Sequence, residues 1–227
     1  KMTTQIRNPK HFNLPALTYT EIKDGAHARF TVPKYAKDGT TTSIQIQTPE
    51  LRAPFGISNY DGKESLQLEL TSQDADKNER LLPFYQLLEA IDRATVDWLH
   101  QNQWQAWPQL KTQSKTWSRE TVESLYHGLV KLPQDARWAP TIRAKLQDRF
   151  GVPPQFFADC KEPMESADLQ AGAGCVCLLE LGPIWVMSGA VYPTLRLVQC
   201  WEKTTPIVPD IPTTTFDFDL DYADQFA

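Results

Sequence analysis

The apolar residues of this chain recur with a period of two in several short segments, and this period constrains the fold most. The clearest case is residues 64–71, where Leu66, Leu68 and Leu70 alternate with polar residues. Residues 40–48 repeat the pattern with threonine and isoleucine. Because successive side chains of a strand point to opposite faces, such segments predict half-buried β-strands.

Further strands are expected at residues 27–32, 138–147, 155–160, 175–181, 184–189 and 191–202. Residues 138–147 could also form a helix, but Pro140 and the alternation of Ile142 and Ala144 favour a strand. Asp61-Gly62 predicts a turn before the strand at 64–71, because glycine adopts a positive φ at little cost. Residues 1–25 are polar and predict an extended arm.

A helical pattern separates the two groups of strands. Residues 78–103 carry apolar side chains at helical spacing, with Pro83 expected in the first turn, and a second helix is expected at 118–131. Residues 103–118 are expected to form a loop with three tryptophans. The order predicts an all-β barrel or sandwich with a helical insertion at about 78–132. We expect one domain at 1–203, followed by a Pro/Thr linker and a tail at 204–227.

Composition and motifs exclude several functions. No window approaches 18 consecutive apolar residues, so no membrane association is expected. The polar start lacks a signal-peptide stretch, and four cysteines without metal-ligand spacing indicate reduced thiols in an intracellular protein, in the host nucleus or cytoplasm if it is viral. No catalytic residue, metal site or cofactor is predicted, because phosphate-loop and nucleophile-elbow motifs are absent.

The last twelve residues alternate acidic with apolar or aromatic side chains. The net charge of the chain is −5, and five aspartates lie in the segment 204–227, so the rest of the chain is balanced. A basic surface or a partner protein could bind this tail. We expect partner-binding residues at Asp217, Asp219, Asp221, Asp224 and Phe226.

Basic residues recur beside aromatic ones on the β-rich segments, a combination that suits a single nucleic-acid strand. Cations follow the phosphates, and flat rings stack on bases without sequence preference. Arg143 and Lys145 are the best candidates for phosphate contacts, because alternate positions share one strand face. The candidate stacking rings are Tyr35, Phe55 and Trp138. The full predicted DNA-binding set is Arg29, Lys34, Tyr35, Lys37, Arg52, Phe55, Arg137, Trp138, Arg143, Lys145 and Arg196.

The chain also resembles the single-stranded-DNA-binding proteins of podophage type and their relatives in large eukaryotic DNA viruses. The likeness lies in residues 48–57 (TPELRAPFGI) with 65–68 (SLQL), 138–146 (WAPTIRAKL), 184–189 (IWVMSG) with 194–199 (TLRLVQ), and the acidic tail with Phe226. This resemblance implies an OB-fold barrel with a helical insertion between the third and fourth strands. It also implies sequence-tolerant binding in DNA replication and recombination, a homodimer, and a tail that contacts replication proteins.

A different class of function also fits the residues. A body of balanced charge suits a structural or adaptor β-domain, such as a virion or scaffold component, whose tail is a protein-binding motif. A continuous positive groove would favour DNA binding by a non-enzymatic protein, and scattered charge would favour the adaptor. If DNA binding is the function, the acidic tail is expected to compete with DNA for the same groove.

Overall fold

The computed structural model describes residues 6–71, 75–135, 137–148, 151–187 and 189–203. The strands, in chain order, are β1 (Ile6–Arg7), β2 (Leu17–Tyr19), β3 (Lys23–Asp24), β4 (Arg29–Thr31), β5 (Pro33–Lys37), β6 (Thr40–Thr42), β7 (Gln45–Gln47), β8 (Leu51–Ala53), β9 (Ile57–Tyr60), β10 (Lys63–Glu69), β11 (Thr141–Lys145), β12 (Gln155–Phe157), β13 (Pro163–Met164), β14 (Ala173–Leu181), β15 (Ile184–Val186), β16 (Val191–Tyr192) and β17 (Leu195–Lys203). The helices are α1 (Ala75–Gln101), α2 (Gln103–Ala106), α3 (Pro108–Thr112) and α4 (Arg119–Leu125), with 3-10 turns at Pro9–His11, Leu14–Ala16 and Ser166–Asp168.

Five of these strands close into a barrel. Around the ring, β8 pairs with β10, β10 with β11, β11 with β17, β17 with β14, and β14 again with β8. All of these pairs are antiparallel except β11 with β17, which run parallel. We call β8, β10, β11, β14 and β17 the barrel strands. A closed five-stranded barrel with this order of strands is an OB-fold, so the predicted fold class is confirmed.

The helices follow the third strand predicted from the sequence and precede the fourth, as expected. The predicted strands at 27–32 and 40–48 contain β4, β6 and β7, which lie outside the ring, and β8 was not predicted. The insertion therefore joins the second barrel strand, β10, to the third, β11. The 103–118 segment differs from the expected loop, since α2 and α3 lie there. Pro83 also differs from its predicted place, because α1 begins at Ala75 and the proline lies inside the helix.

Two hydrophobic clusters organise the molecule. The larger fills the barrel, where Leu66 and Leu68 of β10 and Ile142 of β11 are fully buried, and the first half of α1 packs against them. The second cluster joins the other half of α1, the short helices and the strands β15 and β16. Trp107 is its largest buried side chain. The insertion therefore packs against the chain segment between β14 and β17, which contains β15 and β16.

Local signals explain several elements. Asp61 and Gly62 have φ angles of 52° and 68°, so the predicted turn forms and joins β9 to β10. Ser118 accepts a hydrogen bond from the Thr121 backbone N–H, which caps α4. Cys175 and Cys177 alternate on β14 and are both fully buried, as the shared strand face requires. In the described part of the chain, no helix is long and apolar enough to span a bilayer.

Candidate nucleic-acid interface

A cavity of about 720 Å³ lies on the outer side of the neighbouring barrel strands β10 and β11. Two connections flank it: residues 54–62, between β8 and β10, and residues 182–194, between β14 and β17. We call this cavity the groove. It is lined by Asn59, Tyr60, Gly62, Lys63, Glu64, Ser65, Lys131, Arg143, Lys145, Leu146, Gln147, Trp185, Met187, Tyr192, Pro193, Thr194 and Leu195.

The strand period places two cations in the groove. Ile142 and Ala144 of β11 are fully buried, so Arg143 and Lys145 lie on the opposite face. Lys145 lies opposite Ser65 in the β10–β11 register, and Arg143 Nε donates a hydrogen bond of 2.9 Å to the Ser65 hydroxyl. The predicted pair thus shares one face of β11, and both residues line the groove.

Two further lysines complete the basic lining. Lys63 begins β10 directly after the Asp61-Gly62 turn. Lys131 exchanges backbone hydrogen bonds with Thr141, the first residue of β11, and its Nζ donates to the Gly128 carbonyl at 2.8 Å. Among the described residues, none of the four groove cations forms an ion pair. Glu64 is the one carboxylate among the lining residues, so the groove is locally positive although the chain is acidic.

The crowding of these cations affects their protonation. Burial lowers the pKa of Lys145, and the neighbouring charges of Arg143 and Lys63 lower it further. Burial also lowers the pKa of Lys131, while the nearby Asp92 carboxylate raises it. A bound phosphate would offset the repulsion among these cations and favour their charged forms. The arrangement therefore suits a polyanion.

Three aromatic rings border the same cavity. Tyr60 is 78% exposed at the end of β9. Trp185 of β15 is half-buried against Phe30. Tyr192 of β16 stacks face to face on His127, with ring centroids 4.5 Å apart and an interplanar angle of 5°. Exposed or half-exposed rings beside cations are the combination on which unpaired bases stack.

A half-buried carboxylate on α1, Asp92, holds one wall of the groove. Asp92 accepts a hydrogen bond of 2.7 Å from the Tyr126 hydroxyl and one of 2.9 Å from the Leu129 backbone N–H. His127, in the same loop, donates its backbone N–H to Val191 of β16. Burial raises the pKa of Asp92 to about 6, although its two hydrogen bonds act in the opposite direction. Asp92 therefore positions the loop that precedes Lys131.

Most of the other predicted cations lie near carboxylates instead. Arg29 pairs with Asp24 at 2.9 Å, Arg52 with Glu69 at 3.2 Å, Arg137 with Asp135 at 2.6 Å, and Arg196 with Glu180 at 2.7 Å. Lys34 and Lys37 lie on β5, in a separate three-stranded sheet with β2 and β6. None of these six residues is among those that line the groove.

The predicted stacking rings differ in their surroundings. Tyr35 is 6% exposed and packs edge to face on Phe12, so its ring belongs to the core, and the expectation of a stacking surface there is corrected. Alternation on β5 turns Pro33 and Tyr35 inward. Phe55 and Trp138 are exposed but lie outside the groove lining.

Sequence reasoning missed five groove residues. Tyr60 and Lys63 lie on either side of the Asp61-Gly62 turn. In the sequence this segment predicted only the turn, although an aromatic residue and a cation beside it match the pattern of the other DNA-binding candidates. Trp185 has no basic neighbour in the sequence, and Tyr192 has only Arg196 nearby. The places of Lys131, Trp185 and Tyr192 depend on contacts between distant segments.

The predicted tail residues, Asp217, Asp219, Asp221, Asp224 and Phe226, lie outside the described residues, as does the linker. Across the part of the chain that the structure describes, no cluster of three or more histidine, cysteine or carboxylate side chains could hold a metal ion. The four cysteines are free thiols.

No protein-family model matches the chain, and no curated protein sequence matches it. Solved structures to which the chain is similar include the single-stranded DNA-binding protein from bacteriophage Enc34, at 13% identity over 90% of this chain and 97% of that one, with a TM-score of 0.42. The same phage protein in complex with ssDNA matches at 14% identity, over 85% of this chain and 97% of that one, with a TM-score of 0.41. The gp2.5 single-stranded DNA-binding protein of bacteriophage T7 matches at 11% identity, over 71% of this chain and 93% of that one, with a TM-score of 0.46.

Proposed function

We propose that the chain is a non-enzymatic protein that binds single-stranded DNA in the groove. The observation that supports this most is a set of four cations that line the groove on the outer side of β10 and β11. None of the four forms an ion pair with another described residue. In an OB-fold, the second and third strands and the connections beside them form the oligonucleotide-binding face. Here those elements are β10, β11 and the connections at 54–62 and 182–194.

The chemistry of the groove favours a flexible single strand over a duplex. Lys63, Arg143 and Lys145 provide charge for phosphates, and Tyr60 and Tyr192 provide rings that stack on any base. Stacking needs unpaired bases, which a duplex does not offer. Because neither kind of contact depends on base identity, binding is tolerant of sequence. Such binding suits DNA replication and recombination, where single strands of every sequence are exposed.

The test is a fluorescence-anisotropy titration of a labelled single-stranded oligonucleotide at low and at physiological salt, with unlabelled duplex as competitor. We expect salt-dependent binding that duplex competes poorly. Replacing Arg143 and Lys145 together by alanine should weaken binding about 10- to 100-fold. It should also lower the slope of log K against log salt by about 1.4, since each phosphate contact on a single strand contributes about 0.7. An unchanged slope would contradict the phosphate contacts.

In this proposal the acidic tail competes with DNA for the groove. Its five aspartates are complementary in charge to the four groove cations. We propose that the segment 204–227 occupies the groove when DNA is absent and recruits replication proteins when DNA displaces it. Deleting residues 210–227 should therefore tighten DNA binding, and equal or weaker affinity of the shortened chain would exclude the competition.

The family resemblance also implies an oligomeric state, which needs a separate measurement. Sedimentation equilibrium should show a homodimer.

The alternative function is that of an adaptor domain. If neither the full chain nor the tail-deleted chain binds single-stranded DNA even at low salt, the adaptor function replaces DNA binding, and the tail becomes the first segment to test for protein partners.

A further inference from the structure

A second cavity, of about 460 Å³, lies on the helical insertion. It is formed where α1 ends and α2 and α3 follow. Its lining consists of Gln101, Asn102, Gln103, Trp104, Gln105, Lys111 and Thr116. This lining holds one cation and no carboxylate, and the sequence contains no acidic residue between Gln101 and Arg119. We call it the insertion pocket.

Trp104 gives the insertion pocket a ring that is both fixed and accessible. Its indole Nε1 donates a hydrogen bond of 3.1 Å to the Lys115 carbonyl, and 49% of the residue remains exposed. A tryptophan held at its nitrogen loses little freedom when a flat ligand stacks on it, because the hydrogen bond already restricts the ring. Trp107 and Trp201, by contrast, are fully buried and present no ring to a ligand.

The amide side chains of the pocket divide into two groups. Asn102 and Gln103 are structural, since Asn102 Nδ2 donates to the Trp98 carbonyl at 2.8 Å and Gln103 Oε1 accepts the Trp117 backbone N–H at 2.6 Å. Gln101 and Gln105 are exposed, and their side chains form no hydrogen bond to another described residue. Amide groups offer a donor and an acceptor side by side, which matches the edge of an unpaired base.

Two hydrogen bonds link the segments that form the insertion pocket to the segments beside the groove. Met187 lines the groove, and its carbonyl accepts a hydrogen bond of 2.8 Å from Trp107 Nε1, between α2 and α3. Arg29 lies opposite Val186 in the β4–β15 register, and its guanidinium donates to the Gln105 carbonyl at 2.6 Å. The segment that contains Met187 therefore contacts the helices that form the pocket.

We propose that the insertion pocket is a second nucleotide-binding subsite, which takes one unpaired nucleotide of the strand that occupies the groove. The base stacks on Trp104 and bonds with Gln101 or Gln105, and Lys111 contacts the adjoining phosphate. This inference rests on the proposed function, because it assigns a longer path to the same single strand. It also gives the helical insertion a role beyond supporting the barrel.

A series of single-stranded oligonucleotides of increasing length separates the two subsites. Short strands fill only the groove, and longer ones reach the insertion pocket. Trp104→Ala and Lys111→Gln should leave the affinity for short strands unchanged and weaken the binding of long strands about tenfold and about threefold, respectively. Lys10→Gln is the matched control, because Lys10 is an exposed lysine that lines neither cavity, and it should leave every length unaffected.

Photo-crosslinking gives a readout that does not depend on the variants folding. Long strands carrying one photoreactive thymidine near an end should form adducts in the peptide that contains Trp104, and short strands should not. If the protein binds strands of all lengths but the variants match the wild type and no such adduct forms, the second subsite is refuted while the proposed function stands. If no strand of any length binds, both fail together.

Discussion

The two sides of the barrel use their basic residues in opposite ways. On β10 and β11, Lys63, Arg143 and Lys145 face the groove without an ion pair among the described residues. On the β14–β17 side, Arg196 lies 2.7 Å from Glu180, and both side chains are mostly buried, with 16% and 12% of their surfaces exposed. The cations are equally basic in the sequence, and only their neighbours differ.

This difference separates stability from binding. A buried ion pair is already satisfied, so breaking it destabilises the fold and releases nothing for a ligand. Cations that crowd together without partners repel each other, and an arriving polyanion removes that repulsion. The pairing of charges, rather than their number, therefore distinguishes the proposed binding face in a chain whose net charge is −5.

The largest expected effect comes from reversing charge on the groove. Arg143→Glu with Lys145→Glu should weaken single-stranded DNA binding about 100- to 1000-fold at low salt, or about 3–4 kcal/mol. Arg137→Glu should change affinity less than about threefold, because Asp135 already holds that exposed guanidinium. Anisotropy titrations of both variants compare the two classes directly. A similar loss in both would show that charge alone, and not pairing, governs binding.

The next effect concerns the carboxylate that holds the groove wall. Asp92→Ala leaves the Tyr126 hydroxyl and the Leu129 N–H without their acceptor, so the free energy of unfolding should fall by about 2–4 kcal/mol. The displaced loop should also weaken DNA binding, since it precedes Lys131. Urea denaturation measures the first effect. A stability within 0.5 kcal/mol of the wild type, roughly the range of neutral surface changes, would contradict the role of Asp92.

The same residue predicts a pH dependence with a definite sign. The pKa of Asp92 is about 6 in the folded protein, against an ordinary value of 3.8, so the folded state holds the proton more tightly. Its contribution to stability is complete below about pH 4 and is lost as the pH rises through 6, on the order of 2–3 kcal/mol. The Asp92→Asn variant should lack this decline in denaturation curves taken between pH 3.5 and 7. Parallel pH profiles of the two proteins would argue against it.

A smaller effect on DNA affinity is expected from removing single aromatic rings, and it should differ between rings inside and outside the groove. Tyr60→Ala and Tyr192→Ala should each weaken single-stranded DNA binding about 5- to 20-fold, the range expected for one lost stacking contact. Phe55→Ala and Trp138→Ala, which remove exposed rings outside the groove lining, should have less than a twofold effect. The reverse ranking in titrations at one salt concentration would favour the rings predicted from the sequence over those of the groove.

The smallest effect compares two glycines in equivalent turns. Gly62 and Gly39 have φ angles of 68° and 76°, and an added Cβ would meet no atom within 4 Å at either position. Alanine at either site should therefore cost about 1 kcal/mol of stability through backbone strain alone. Only Gly62→Ala should also weaken DNA binding, because Gly62 lines the groove and precedes Lys63. Equal DNA affinity of the two variants would show that the Gly62 turn does not contribute to DNA binding.

Local periodicity determined much of the barrel in advance. Alternation predicted β10 and β11 and placed Arg143 and Lys145 on one face, since Ile142 and Ala144, which alternate with them, are buried. The Asp61-Gly62 turn followed from the conformational freedom of glycine. Each of these features depends on residues a few positions apart, so a single sequence contains the whole signal.

Only the tertiary structure decided which cations remain without ion pairs and which rings join them. The β14–β17 connection brings Trp185 and Tyr192 beside β11 because β17 pairs with both β11 and β14, a closure that no local pattern encodes. Arg196 meets Glu180 through the same β14–β17 pairing, and Tyr35 of β5 is buried where it packs on Phe12. Pairing and burial depend on contacts between segments far apart in sequence. The sequence alone therefore predicted the strands and a basic face, and the tertiary contacts decided which cations and rings line the groove.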